Sequence, residues 1–234
     1  MAASAPATAA PQPAALLEDV CAASRDGGLA AGLTRVVASG CAVPGTPASR
    51  TLVPAGAVET VQRWRLPAGT LTAEDVLVTP LPHGLAGCAD LVRVQVTARA
   101  PRAPGTAGSG GDGDLVRAAV LLGAVRIGLT ERMLRLAAGY LSGREVGGQP
   151  LIRRQLLQAA TADVAAGLDL CRRWLPHLAT TSGAAALHTR LTDLGWSVTT
   201  MFGAGGYLRT HPVSCLCVAE LVADTWVGAG PAGW

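Results

Sequence analysis

Residues Leu115–Tyr140 read LVRAAVLLGAVRIGLTERMLRLAAGY. Leu115, Ala118, Leu122, Val125, Leu129, Met133, Leu136 and Tyr140 recur there at steps of three and four, the spacing that lines one face of an α-helix. The stripe predicts a helix of about seven turns, stopped near Gly143, with Glu131 and Arg135 spaced to pair on another side. A second helix starts after Pro150, carries Ile152, Leu156, Ala160, Val164, Leu168, Cys171 and Leu175, and ends at Pro176. On it Asp169 and Arg173 are spaced to pair. A third runs from about Ser182 to Thr200. A fourth runs from about Pro212 to Val227, with Pro212 in its first turn. Striped helices with short connections predict a mainly α fold, an antiparallel four-helix bundle over residues 115–234.

Toward the N-terminus the texture changes. Ala98–Asp114, ARAPRAPGTAGSGGDGD, is rich in Gly, Pro and Ser, and residues 100–114 read as a flexible linker. Residues 14–99 read as a reduced region of short helices and β-strands. Its helical part runs from Ala14 to about Gly40, broken at Gly27–Gly28. Leu91–Val96 alternates in part, as a half-buried strand does. Residues 1–13, rich in Ala and Pro, read as a disordered tail.

Half of the 234 residues are hydrophobic, enough for a sizeable core, yet there is one Phe and there are two Tyr. Leu, Val and Ala must do the packing, with five Trp as large fillers. Lys and Asn are missing altogether, a composition expected of a GC-rich bacterial genome, so the abundance of Arg says little about function. Net charge is +3 and the Arg residues are dispersed, which argues against nucleic acid as a partner. Six cysteines form no CxxC pair and have no His spacing suited to zinc, so reduced, partly buried thiols in a cytoplasmic protein are expected. Met1–Pro13 lacks the cationic and apolar regions of a secretory signal. No apolar run of about 18 residues is free of charge, so no membrane span is expected.

Two stretches of the second half carry chemistry. Tyr140–Gln155, YLSGREVGGQPLIRRQ, resembles the acyl-CoA dehydrogenase pattern Y-x3-R-x2-F-G-x-P-[IL]…Q. Arg144, Gly148, Pro150 and Gln155 match it, Gly147 stands where the family has Phe, and Gly128 and Ala162–Asp163 add weaker matches. Phe202–Val213, FGAGGYLRTHPV, resembles the family's G-G-x-G-[FY]-x4-P-[VIL] loop. Glycine suits such a loop because it tolerates positive φ and lets backbone N–H groups approach a pyrophosphate. The resemblance covers roughly Leu115–Gly230. It implies that Arg144, Gln155, Gly203, Gly205 and Gly206 contact FAD across a subunit interface, that the protein forms homo-oligomers or hetero-oligomers with a fuller homologue, and that the substrate is an acyl thioester oxidised at a CH–CH bond. Each residue also has a plainer reading. Arg144 suits the negative end of a helix dipole, Gln155 is an ordinary surface residue, and the glycines suit a tight turn between helices.

The departures from the family are as informative. Where its Y-E-G-T-like step places the catalytic Glu, this chain reads Trp226-Val227-Gly228-Ala229. The position some members use instead, near Ala118, holds no carboxylate, and the family's Arg–Asp pair is Val218–Ala219. The strand motif that covers the flavin ring is missing from the first half. Loss of a general base removes about 10²–10⁴-fold in rate. Glu220 and Asp224 lie on the helical face of Val227, either as a relocated acid/base or as a solvated face. His83, His177, His188 and His211 have no Ser or Asp partner nearby in sequence and read as structural or exposed. The expected function is therefore that of an acyl-CoA dehydrogenase-like flavoprotein, or a subunit of one, in lipid, steroid or secondary metabolism. Alternatives are a non-redox enzyme on the same scaffold, with a pocket near Val227, Trp226 and Cys217, and a non-catalytic partner subunit.

Overall fold

The computed structural model describes residues 12–41, 50–60, 63–66, 69–72, 76–81, 90–96 and 111–227. Two helices lead, α1 (Ala14–Gly27) and α2 (Leu29–Ala38), hinged at Gly28, whose φ of 86° only glycine adopts at low cost. Short elements follow: β1 (Arg50–Pro54), α3 (Ala55–Thr60), β2 (Arg63–Leu66), β3 (Gly69–Thr72), β4 (Val76–Pro80) and β5 (Leu91–Val96). β5 lies between β1 and β4 in an antiparallel sheet, with Val92 opposite Val53 and Val94 opposite Val78, while β2 and β3 pair separately. Then come the long helices α4 (Gly111–Ser142), α5 (Gln155–Trp174), α6 (Thr181–Met201) and α7 (Ser214–Trp226). Between α4 and α5 the strands β6 (Glu145–Val146) and β7 (Gln149–Pro150) form a small hairpin.

The protein is mostly helical, and the four expected helices are present. Two details differ from expectation. α4 takes in residues 111–114, read from sequence as linker; residues 100–110 lie outside the described residues, as do residues 1–11, His83 and Cys88. Nor is α4 a helix with one buried stripe. Every residue from Ala118 to Thr130 is buried, because α1 and α2 cover one side and α5, α6 and α7 the others. A helix apolar all round is the pattern of a core element. Conversely Leu136, part of the expected stripe, is exposed near the end of α4, and Leu156 is 85% exposed at the start of α5, where Leu157 packs on the core instead. Val164, Leu168 and Cys171 carry α5's buried face.

Packing between α1 and α4 is close because Gly128 leaves room for the backbone. A Cβ there would run into the Cys21 carbonyl. Polar groups fix the same contact. Arg132 Nη1 donates to the Asp26 and Arg25 carbonyls at 2.7 and 3.2 Å, satisfying the open C-terminal end of α1. Glu131 accepts from Arg172 of α5 at 2.6 Å and lies 3.6 Å from Arg25 of α1. The expected Glu131–Arg135 pair is thus replaced by bridges between helices, and Arg135 instead meets Asp26 at 3.9 Å. The Asp169–Arg173 pair forms as expected, at 3.0 Å.

Candidate functional site

The two glycine-containing stretches meet at one end of the bundle. Tyr140 lies in the last turns of α4, and its hydroxyl donates to the Phe202 carbonyl at 3.3 Å. The two rings lie 5.5 Å apart, and the His211 ring lies 4.6 Å from that of Phe202, tilted by 60°. Arg144 is exposed, its guanidinium 4.7 Å above the Tyr140 ring. Arg144, Tyr140, Phe202 and His211 thus form one continuous row.

Phe202 ends α6 and opens a 3-10 turn, Gly203–Tyr207. Gly203 has φ of 58°, and open space surrounds the position of a Cβ at both Gly203 and Gly205. Gly206 is different: it is buried, and a Cβ would strike the Thr199 carbonyl, so it packs the turn onto α6. Gln155 is exposed as the first residue of α5. Gly147 and Gly148 form the β6–β7 turn with φ of 65° and 74°, a two-residue hairpin that needs positive φ at both positions. This explains why no aromatic residue stands at position 147. An exposed guanidinium and an open glycine turn, joined through Tyr140 and Phe202, are groups that could hold the anionic part of a dinucleotide cofactor.

Val227 caps α7 at a different level. Arg126 lies fourteen positions before Tyr140, about 20 Å along α4. There α6 and α7 both rest on α4 but barely touch each other. The cleft between them has a volume of about 330 Å³, and Arg126, His188, Thr192, Glu220, Asp224 and Val227 all line it. Val227 and the two sequence-flagged carboxylates therefore share one cleft. Trp226 points elsewhere: its indole N–H donates to Thr51 Oγ1 of β1 at 2.9 Å, both residues being buried. Cys217 borders a neighbouring, smaller hollow that shares Arg126, Thr192 and Glu220 with the cleft.

Arg126 and His188, far apart in sequence, form a pair in which both residues are only 5% exposed. His188 Nε2 lies 3.0 Å from the Ala119 carbonyl, which can only accept, so this nitrogen carries the proton. Nδ1 then accepts from Arg126 Nη1 at 3.1 Å. Nη1 also donates to the His188 carbonyl at 3.1 Å, and Nη2 to Thr192 Oγ1 at 2.8 Å. Burial, then the facing guanidinium, hold His188 down at about 3. Burial likewise pushes Arg126 down to about 10, against the pull of Glu220 and Asp224. The legible signal was a lone Arg inside the apolar run Ala118–Leu129.

The remaining nucleophiles are quiet. Burial raises the thiols of Cys21, Cys41, Cys171 and Cys217, so none is activated as a thiolate. Cys21, Cys171 and Cys217 carry free thiols. Among the described residues no cluster of His, Cys, Asp or Glu could hold a metal ion, and no helix is long and apolar enough to cross a membrane.

The profile of the acyl-CoA dehydrogenase C-terminal domain matches residues 113–230, just over half of the chain. No curated protein sequence matches. Among solved structures, a variant of the Tcur3481-Tcur3483 steroid ACAD is similar at a TM-score of 0.53 and 17% identity, over 80% of this chain and 58% of its own. The ChsE4-ChsE5 complex from Mycobacterium tuberculosis is similar at 0.51 and 18%, over 80% and 58%. An FAD-dependent dehydrogenase is similar at 0.51 and 15%, over 80% and 60%. The chain therefore spans less than two thirds of the length of these structures, and at such identities the likeness is one of fold.

Proposed function

The chain belongs to the acyl-CoA dehydrogenase family, and from that premise we propose that it is one subunit of a heteromeric flavoprotein dehydrogenase that oxidises a CH–CH bond of an acyl thioester. The observation that carries this reading is the Tyr140–Phe202 bond, which holds Arg144 and the glycine turn at one end of the bundle. Arg144 would face the cofactor's pyrophosphate as a cation, Gly203 and Gly205 would let backbone approach it, and Gln155 would donate from the start of α5. FAD, when bound, supplies the hydride acceptor.

On this reading the family's usual proton acceptor is not at its customary place in this chain. Val227 occupies the family's base position and cannot take a proton. Glu220 and Asp224 face the cleft from the preceding turns of α7 and stand as weaker candidates for a base. A partner subunit that provides the carboxylate resolves the deficit. Two solved neighbours, Tcur3481-Tcur3483 and ChsE4-ChsE5, are two-component assemblies by name, which supports this arrangement. A soluble, cytoplasmic, bacterial setting in lipid, steroid or secondary metabolism follows from the same reading.

Co-expression of the chain with a full-length homologue, followed by size-exclusion chromatography with absorbance detection, tests it. The expected result is a co-eluting, yellow complex whose flavin content falls when Arg144 is changed to Ala in this chain alone. A complex that stays fully loaded with flavin in both Arg144→Ala and Gly203→Val variants refutes the cofactor role, and failure to co-elute refutes the heteromer.

A further inference from the structure

The cleft between α4, α6 and α7, which Val227 borders, also holds a buried group, Arg126, that neither the family pattern nor the proposed cofactor site uses. Its floor is Arg126, a charged group 5% exposed. None of the ion pairs among the described residues includes it. Its partners are a neutral imidazole, a main-chain carbonyl and a hydroxyl. A guanidinium has five N–H donors, and these bonds use three, two on Nη1 and one on Nη2. The donors left over sit on Nε and Nη2, adjacent groups that together take a carboxylate side-on. Its hydrogen-bond partners are all neutral, and Glu220 and Asp224 act on it across the cleft without forming an ion pair, so an anion seated on Arg126 would supply the direct charged partner it lacks.

The walls restrict which anion fits. Glu220 and Asp224 line the same cleft from α7, so a multiply charged ligand such as a phosphate would be repelled. They can accept hydrogen bonds, as can the hydroxyl of Thr189, which also lines the cleft. The volume of about 330 Å³ is at the small end of the range for ligand pockets. The cleft follows α6 over Ala185–Thr192, well away from Phe202 and the glycine turn.

We propose that this cleft binds a small hydroxy- or amino-carboxylate, its carboxylate on Arg126 and its hydroxyl or ammonium group on Glu220 and Asp224. The carboxylate answers the unpaired guanidinium, and the donor group answers the two acidic walls. A simple carboxylate satisfies only the first requirement and a simple amine only the second.

Isothermal titration calorimetry on the full chain, with neither flavin nor acyl thioester present, tests this separately from the dehydrogenase reading. The probes are 3-hydroxybutyrate and L-serine, with acetate and ethanolamine as the single-function comparisons. Saturable binding of at least one bifunctional probe with a Kd of about 1 mM or tighter is expected, at least about tenfold tighter than acetate or ethanolamine. Glu220→Gln combined with Asp224→Asn should weaken it by about tenfold or more, and Arg126→Met should abolish it. Since Arg126→Met alters a buried position, the double variant on α7 carries the test if that protein does not fold. Absence of saturable heat from both bifunctional probes at about 10 mM overturns the proposal, as does binding that the α7 double variant leaves unchanged.

Discussion

The Tyr140 hydroxyl and the Phe202 carbonyl, 3.3 Å apart, join two segments separated by most of the bundle sequence. Removing that hydroxyl with Tyr140→Phe keeps the ring beneath Arg144 and costs about 1 kcal/mol, the usual net worth of one hydrogen bond. Tyr140→Ala also removes the ring contacts to Phe202 and Arg144 and costs more, about 3 kcal/mol. Urea denaturation followed by circular dichroism reads both. Equal losses in the two variants would show that the hydroxyl, and not the ring row, organises this end.

His188 makes stability depend on acid. Its imidazole is held down at about 3 in the folded chain and titrates near 6.5 when unfolded. Between those values the unfolded chain binds a proton that the folded chain refuses, so stability falls as pH falls through this window. The slope is about 1.4 kcal/mol per pH unit from this group. His188→Gln cannot titrate and should flatten the dependence between pH 6 and 4 while lowering stability at pH 7. Denaturant midpoints measured across that range decide it, and an unchanged slope in the variant would place the acid sensitivity elsewhere.

Two glycines on α4 should respond in opposite directions. Gly128→Ala drives a methyl group into the Cys21 carbonyl and costs about 1–3 kcal/mol. Gly139 is exposed with open space at its Cβ position, so Gly139→Ala gains up to about 1 kcal/mol from helix propensity. Thermal melts of the pair check both signs within one helix.

The Trp226–Thr51 contact predicts a coupling between α7 and β1. Thr51→Val leaves the buried indole N–H without its acceptor, at about 1–3 kcal/mol. Trp226→Phe removes donor and bulk together. In the double variant the loss should be smaller than the sum, and a double-mutant cycle in urea measures the difference.

The helices of the second half were legible because a period of three to four residues is a direct geometric consequence of helical rise. Arg144, Gly203 and Gln155 could be marked because motif spacing survives sequence divergence. What surrounds a helix is not encoded in its own period. Leu156 and Leu136 sit on the expected stripes yet face solvent, while Leu157 of α5 and Ala137 of α4, one position further on, pack on the core. Glu131 and Arg135 have ideal spacing yet bond to other helices, because partners on α1 and α5 lie closer. Arg126 was visible as a charge in an apolar run, but its partners His188 and Thr192 come from a helix more than sixty residues away. Gly147 is a departure from the family, and only the hairpin shows that its φ is one an aromatic residue adopts with strain.

The seating of Cys21 against Gly128 has a consequence for how the chain matures. α1 and α2 are made before α4, and the α4 surface that packs on them lies about a hundred residues later. At a synthesis rate of about 5–20 residues per second, that surface follows roughly 5–20 s behind. During this interval α1, with Leu17, Val20 and Cys21, has α2 beside it but lacks the cover of α4. Nascent chains of this protein should therefore engage chaperones early and release them only once α4 has emerged.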